Sequence, residues 1–338
     1  MKNKFLVYLT LVMLVVSMLI SLSVGRYDIS LGTLIGFLKW KILGIGVAPS
    51  DVDLLSNIII DIRLPRIIAA ILVGAALSTA GAAFQAMFVN PLVSPGILGV
   101  LAGASFGAAL GIMLGDSWIV VQLCAFTFGF AAVIVALAAA RIYGNTAGKI
   151  ILLVLGGVIS SALFSALLSV VKFVADPYNK LPAIVYWLMG SFGAIEKSTI
   201  LTVSIPMLIG IIVLSVSGKF LNILSLGDEE AMALGIRVSF VRYGAILMAT
   251  MMSALTVVVA GMIGWIGLII PHVARFIVGP DNRILLPMCA LLGGVFLLIV
   301  DTFCRTAMSI EIPIGIATSL IGIPIFVIAL RGAKKGFS

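Results

Sequence analysis

The residues of this chain that could perform chemistry are few and scattered. Its three cysteines, Cys124, Cys289 and Cys304, lie in apolar stretches without CxxC spacing, and His272 is the one histidine of the sequence. We therefore expect buried structural cysteines rather than a redox or metal centre. The nearest approach to a phosphate loop, 144–149, has its glycines too close together and lacks a Ser or Thr after the lysine. The sequence predicts no catalytic residue and no cofactor bound by this chain.

The composition indicates a membrane protein. The chain has 338 residues, of which 62% are hydrophobic and 10% are charged, whereas a soluble domain carries about 25% charged residues. Too few polar side chains are present to cover a water-facing surface, so membrane lipid must be part of the solvent. The formal net charge is +8, but the basic residues stand singly between apolar runs. This pattern is typical of a membrane-orientation signal and not of nucleic-acid binding.

Ten apolar runs approach the length of about 20 residues that a helix needs to cross the hydrocarbon core. They predict an all-α, polytopic protein of about ten transmembrane helices, in a single transmembrane domain over 1–338. The runs are 5–25, 64–88, 92–115, 118–140, 149–173, 198–217, 239–261, 263–280, 285–304 and 312–331. The first follows a basic start, as in a signal peptide, but it is too long and lacks a small-x-small cleavage site. We expect a retained span.

The distribution of charge predicts the orientation and limits the mechanism. With both termini in the cytoplasm, 12 Lys and Arg residues lie inside and 9 outside, which the positive-inside rule favours. Asp301 is the acid nearest a span interior, and it lies close to the outer end of its span. An ion-coupled secondary carrier would place carboxylates near the midplane, so this alternative is disfavoured. A membrane-embedded enzyme is disfavoured because no His/Asp/Glu cluster is visible.

The longest polar interruption in the second half predicts a cytoplasmic segment over about 218–238. Three consecutive acids, 228–230, suit the first turn of a short helix, and Gly235 can end it. From the residues alone, this segment is either a solvated connection between two spans or a docking site for an energy-supplying partner. The candidate coupling residues are Asp228, Glu229, Glu230, Ala231, Met232, Ala233, Leu234, Gly235 and Ile236.

Motifs along nearly the whole chain, in family order, resemble those of the FecCD-type, or type II, ABC importer permeases for iron-siderophores, haem and vitamin B12. The coupling segment resembles their cytoplasmic coupling helix, which contains an acid and a Leu-Gly pair. The other matching motifs are RLPR at 63–66, GAAFQ at 81–85, NPLVSPGILG at 90–99, YWLMGS at 186–191, GWIGLIIPHVAR at 264–275 and IPIG at 312–315.

The resemblance implies a homodimer in the bacterial or archaeal inner membrane, with a pore between the subunits. It implies two ATPase subunits on the cytoplasmic side, which bind ATP and Mg²⁺, and a periplasmic or lipid-anchored substrate-binding protein on the other side. The implied cargo is a metal chelate, and an iron(III)-siderophore is the commonest among such permeases. Haem, cobalamin and an oxyanion such as molybdate remain alternatives.

The resemblance also assigns docking and pore residues. Arg63, Arg66 and Arg305 would pair with glutamates of the binding protein, because an arginine fork suits carboxylates; the alternative is that they anchor helix ends. The predicted pore and gate residues are Asn145, Thr146, Gly148 and Lys149, in a loop that matches the family gate, and Ser160, Ser161 and Ser165, a polar edge of the fifth span. Interhelical hydrogen bonding is the alternative for these serines.

The third span carries a row of glycines at every fourth position. Gly99, Gly103, Gly107, Gly111 and Gly115 form this row. Small residues let helix backbones approach closely in a membrane. Because a period of four drifts around a helix, we expect this span to pack against several neighbours in turn.

Overall fold

The computed structural model describes residues 2–46, 51–115, 117–142, 149–193 and 195–334, and these residues form an all-α fold without a strand. The helices are α1 Lys2–Ser23, α2 Leu31–Leu43, α3 Val52–Ser56, α4 Leu64–Met87, α5 Val100–Leu114, α6 Trp118–Ile142, α7 Lys149–Val174, α8 Lys180–Leu188, α9 Lys197–Val216, α10 Gly218–Leu224, α11 Asp228–Ala233, α12 Val238–Ala260, α13 Ile266–Val278, α14 Asn282–Thr306 and α15 Ile314–Lys334. A π-helical turn, Asn57–Arg63, leads directly into α4, and a 3₁₀ turn, Pro95–Leu98, precedes α5.

Ten apolar helices match the ten predicted spans. Within the described ranges, seven helices are long and apolar enough to cross a membrane, and three shorter apolar helices, α5, α13 and α15, fill the remaining positions. The prediction of an all-α protein with about ten transmembrane helices is confirmed. The first run forms α1, which packs along α14, with the Thr10 hydroxyl 3.5 Å from the Met288 sulfur.

The helix α4 is the centre of the fold, and nearly all of its residues are buried. It packs against α9, α12, α13 and α14. Small residues make this possible: a Cβ added at Gly74 would overlap the carbonyl of Gly293 on α14, and one added at Gly81 would overlap the carbonyl of Gly267 on α13. Backbone contact of this kind supplies the dispersion energy that holds helices together where lipid removes the hydrophobic drive.

The glycine row of the third span meets two neighbouring helices. Gly99, which precedes α5, lies against Ser160 of α7, whereas Gly103, Gly107 and Gly111 contact the backbone of α6, opposite Phe128, Cys124 and Val121 in turn. The row therefore packs against more than one neighbour, as expected, and most of it faces α6. Residues four apart on a helix form a ridge that is inclined to the helix axis. Because α6 lies along this ridge of α5, it contacts Gly103, Gly107 and Gly111.

Among the helices outside the predicted spans and the predicted cytoplasmic segment, two are longer than one or two turns. The helix α2 begins at Ser30, whose side chain accepts a hydrogen bond from the Thr33 N–H at 3.1 Å, and it ends at Gly44 in the left-handed conformation. The second is α8. These helices have 13 and 9 residues, so they are too short to be predicted as membrane spans. For α2, the Ser30 cap and Gly44 were local signals of a helix.

Candidate functional site

The predicted coupling segment forms the short helix α11, and local sequence signals explain both of its ends. Gly227 precedes it with a φ of +123°, and Gly235 follows it with a φ of +77°. The Gly235 N–H donates to the Met232 carbonyl at 2.9 Å, and the Ile236 N–H donates to the Ala231 carbonyl at 3.0 Å. This pair of bonds is the Schellman motif. The predicted helix and its glycine cap are confirmed.

An ion pair attaches α11 to the first turn of α12. The Asp228 carboxylate accepts two hydrogen bonds from the Arg242 guanidinium, and the Nη1–Oδ2 distance is 2.9 Å. Only 4% of Arg242 is exposed. Asp228 thus points into the protein, while Glu229 and Glu230 are exposed. The sequence reasoning missed Arg242, although a lone cation near the start of the apolar run 239–261 was a signal.

The outer side of α11 carries three large apolar side chains that nothing covers in the described part of the chain. Leu226 is 61% exposed, Met232 57% and Leu234 60%, whereas Ala231 is fully buried. We call Leu226, Met232 and Leu234 the apolar face of α11. Ala233 and Gly235 are also exposed, and Ile236 is half-buried. Clustered apolar exposure beside charged residues is typical of a protein-binding surface.

A second attachment ties the same region to α14. The Asn222 side chain in α10 donates to Asp281 Oδ1 at 2.7 Å and accepts from the Asn282 side chain at 2.8 Å. Hydrogen bonds from Arg283 and Asn222 hold the pKa of Asp281 well below its usual range. The α10–α11 segment is therefore fixed to two spans, α12 and α14, at one end of the molecule.

The three predicted docking arginines lie together at the opposite end. Arg66 forms a bidentate pair with Asp301, with Nη2–Oδ1 at 2.7 Å and Nε–Oδ2 at 3.1 Å, and its Nη2 also contacts Glu311. Arg63 donates to the Ser23 carbonyl at 3.0 Å, and also to the carbonyls of Leu22 and Tyr27. Arg305 donates to the Ser21 hydroxyl at 2.8 Å and to the Ser21 carbonyl.

These contacts favour the helix-anchoring alternative for the arginines. Arg63 and Arg305 are buried, and Asp301 is fully buried. The guanidinium groups of Arg63 and Arg305 join the end of α1 to the start of α4 and to the end of α14. The predicted docking role, in contrast, needs guanidinium groups at the surface. Sequence reasoning missed Asp301 and Glu311 as the partners of Arg66, although it placed Asp301 correctly near one end of a span.

The predicted gate and pore residues separate into three groups. Asn145, Thr146 and Gly148 lie outside the described residues, and Lys149 begins α7. Ser165 is exposed and Ser161 is half-buried. Ser160 is fully buried, and its hydroxyl donates to the Ala132 carbonyl of α6 at 2.6 Å. Ser160 therefore forms the interhelical hydrogen bond of the alternative interpretation, which corrects its predicted place in the pore.

His272 and two of the three cysteines lie in buried, largely apolar surroundings. The His272 ring packs edge-on against Phe276 with centroids 5.2 Å apart, and it also contacts Phe326. Cys289 and Cys304 are buried, Cys124 is partly buried, and all three are free thiols. These residues contribute to packing between the spans.

Comparison with known proteins gives one consistent family. The model of the FecCD transport family matches residues 13–332. The molybdate import system permease protein MolB of Haemophilus influenzae is 39% identical over 335 residues, 98% of this chain and 97% of the relative. A probable iron chelatin transport system permease protein of Helicobacter pylori is 41% identical over 276 residues, 82% of this chain and 83% of the relative.

A solved structure agrees with these relatives. It is an inward-facing conformation of an ABC transporter assigned to the metal-chelate type, with a TM-score of 0.86 and 35% identity over 97% of this chain and 99% of the other. The fold of this chain is thus shared over almost its full length. The protein belongs to the FecCD transport family and is a multi-pass membrane permease subunit of an ABC importer.

Proposed function

We propose that two copies of this chain form the membrane pathway of a binding-protein-dependent importer, driven by ATP hydrolysis in two partner ATPase subunits that dock on α11. The observation that carries the proposal is the apolar face of α11, which is exposed although its helix is firmly attached. ATP and Mg²⁺ belong to the ATPase subunits. A periplasmic or lipid-anchored binding protein delivers cargo at the end that carries Arg66 and Asp301.

The attachments of α11 explain how a push from the ATPase would reach the spans. Force on the apolar face passes through the Asp228–Arg242 pair to α12 and through Asn222 to α14. Both of these spans pack on the buried helix α4. A movement of α11 would therefore act on the core of the subunit and not on a loose loop. The proposed orientation, with both termini in the cytoplasm, places α11 on the side where ATP is available.

The apolar face gives the test of ATPase docking. Leu234→Asp is expected to weaken ATPase-subunit binding about thirtyfold, since an interface anchor contributes about 2 kcal/mol. Leu234 is exposed, so the fold of the free permease should not change. The dissociation constant for the purified ATPase subunit, measured with the permease in lipid nanodiscs, checks this. Leu43→Asp, at an equally exposed leucine at the end of α2, is the control, and equal binding by both variants would contradict the proposal.

We propose an iron(III)-siderophore as the first candidate cargo and molybdate as the second. The iron chelatin relative and the metal-chelate type of the solved transporter support the first. The molybdate permease of Haemophilus influenzae supports the second, because its similarity extends over almost the whole chain. The two cargoes differ so strongly in size and charge that one assay separates them.

Uptake into proteoliposomes decides between the cargoes. The permease, its ATPase subunit and its binding protein are reconstituted, and radioactive ferric siderophore and radioactive molybdate are supplied in parallel. We expect ATP-dependent accumulation of the siderophore alone. Accumulation of molybdate alone would make the second candidate the cargo. Uptake driven by an ion gradient without ATP would contradict the proposed energy source.

A further inference from the structure

An apolar groove lies between α9 and α12 at the end of the molecule that carries α11. Its volume is about 530 Å³, and Ser217, Phe220 and Arg237 line it near that end. Met248, which lines it farther along α12, is ten residues beyond the start of that helix. At 1.5 Å per residue the groove extends about 15 Å, which is about half the thickness of the hydrocarbon core.

The groove contains a space that the chain itself leaves empty. Gly244 lines it, and a Cβ added at Gly244 would meet no atom within 4 Å. Gly74 and Gly81 are different, because neighbouring backbone occupies the space beside them. A glycine inside an α-helix costs about 1 kcal/mol relative to alanine, and no helix contact accounts for this one. The space beside Gly244 is therefore available to a molecule outside the chain.

The position of the groove indicates which kind of molecule reaches it. Its walls are the membrane spans α9 and α12, and both spans carry exposed apolar side chains, among them Ile212, Val216, Phe240 and Leu247. Exposed apolar side chains on a membrane span are suited to contact with hydrocarbon, so the groove is of a kind that an acyl chain can enter. The apolar face of α11, in contrast, belongs to a helix outside the spans.

The end of the groove that meets the water carries positive charge. Arg237 lines it, and Lys219 stands beside it with its Nζ 4.7 Å from the centre of the Phe220 ring. Both cations are exposed, and neither has an acidic partner among the described residues, whereas Arg242 is occupied by Asp228. Cations at the cytoplasmic surface of a membrane attract anionic lipid headgroups by about 1 kcal/mol each.

We propose that this groove binds one anionic phospholipid, with an acyl chain along Gly244 and Met248 and the headgroup phosphate at Arg237 and Lys219. Gly235, Ile236 and Arg237 form both the connection from α11 to α12 and part of the groove wall. A bound lipid therefore steadies the connection through which α11 acts on the span. Placement in the cytoplasmic leaflet rests on the proposed function and its orientation.

Lipid binding to the purified permease tests the proposal. Native mass spectrometry measures the apparent affinity for phosphatidylglycerol and for phosphatidylcholine with the same acyl chains. We expect a preference for phosphatidylglycerol, and Arg237→Gln should lower that affinity about fivefold without changing phosphatidylcholine binding. Arg141→Gln is the charge control, since Arg141 is an exposed cation that the proposed orientation places on the same side of the membrane.

A second variant tests the acyl-chain site independently of charge. Gly244→Phe fills the groove and should remove the specifically bound lipid, whichever headgroup it has. Leu247→Phe is the matched control, because it adds the same ring on the lipid-facing side of α12 outside the groove.

Two outcomes would overturn the lipid site. One is unchanged lipid binding by Gly244→Phe; the other is an equal effect of Arg237→Gln and Arg141→Gln. If Gly244→Phe leaves lipid binding unchanged and abolishes binding of the ATPase subunit, the groove belongs to a protein partner. All lipid measurements use the permease alone, so their failure leaves the proposed importer function intact, and a failure of transport does not alter them.

Discussion

Asp301→Asn is expected to destabilise the folded protein by about 3–5 kcal/mol, because it leaves the positive charge of Arg66 buried without its principal counter-ion. Arg66 bonds the Asp301 carboxylate through Nε at 3.0 Å and through Nη2 at 2.7 Å, and Asp301 is fully buried. Glu311 is partly exposed and can be hydrated elsewhere, so it replaces Asp301 only in part. Thermal unfolding of the purified protein in detergent measures the loss.

A double variant and a surface control separate this explanation from general damage to the fold. Arg66→Met combined with Asp301→Leu removes both charges, and it should be closer to the wild type in stability than Asp301→Asn, because apolar replacement of a buried pair is often neutral. Asp61→Asn removes an acid 3.9 Å from Lys197, where both side chains are exposed, and should cost roughly 0–1 kcal/mol. An Asp301→Asn variant as stable as Asp61→Asn would contradict the anchoring role.

Arg63, Arg66 and Arg305 were predicted from sequence to bind a partner protein, whereas in the structure they bond to residues of this chain. The sequence placed Arg66 and Asp301 near the ends of their spans, and the structure has both residues near the ends of α4 and α14. Their pairing depends on α4 lying beside α14, across 235 positions of the chain. No local pattern contains that information, so exposed docking arginines and buried anchoring arginines look alike in the sequence.

The features that sequence reasoning predicted well are those fixed by local physics. The hydrocarbon thickness sets a minimum length for an apolar run, which gave ten spans, and a glycine in the left-handed conformation ends α11 at Gly235. The features it missed depend on neighbours. Ser160 stands on the polar edge of its helix, yet its direction toward Ala132 is decided by where α6 packs. The ion pair of Asp228 with Arg242 joins α11 to α12. It depends on how the connection between the two helices folds, and the sequence does not show that Asp228, rather than Glu229 or Glu230, contacts α12.

Arg242→Gln is expected to lower ATP-driven transport about tenfold or more, while ATPase-subunit binding persists. The variant removes the charge-assisted pair with Asp228, and such bonds contribute about 1.5–3 kcal/mol, which lowers the ratio of attached to detached α11 by about 10- to 100-fold. The apolar face is untouched, so docking continues. Asp228 is partly exposed and can be hydrated, so the remaining fold should persist. The measurement is cargo transported per ATP hydrolysed in proteoliposomes.

The controls for this variant distinguish lost coupling from a lost charge. Arg283→Gln removes an exposed arginine that pairs with Asp281 at the same end of the molecule, and it should transport nearly as well as the wild type. Arg242→Lys keeps the charge but provides no planar fork for a bidentate carboxylate contact, so we expect an intermediate ratio. If Arg242→Gln transports as many cargo molecules per ATP as Arg283→Gln, the conformational change of the ATPase is not transmitted through the Asp228–Arg242 pair. The Asn222 contact to α14 would then be the next connection to test, because it also attaches the α10–α11 segment to a span.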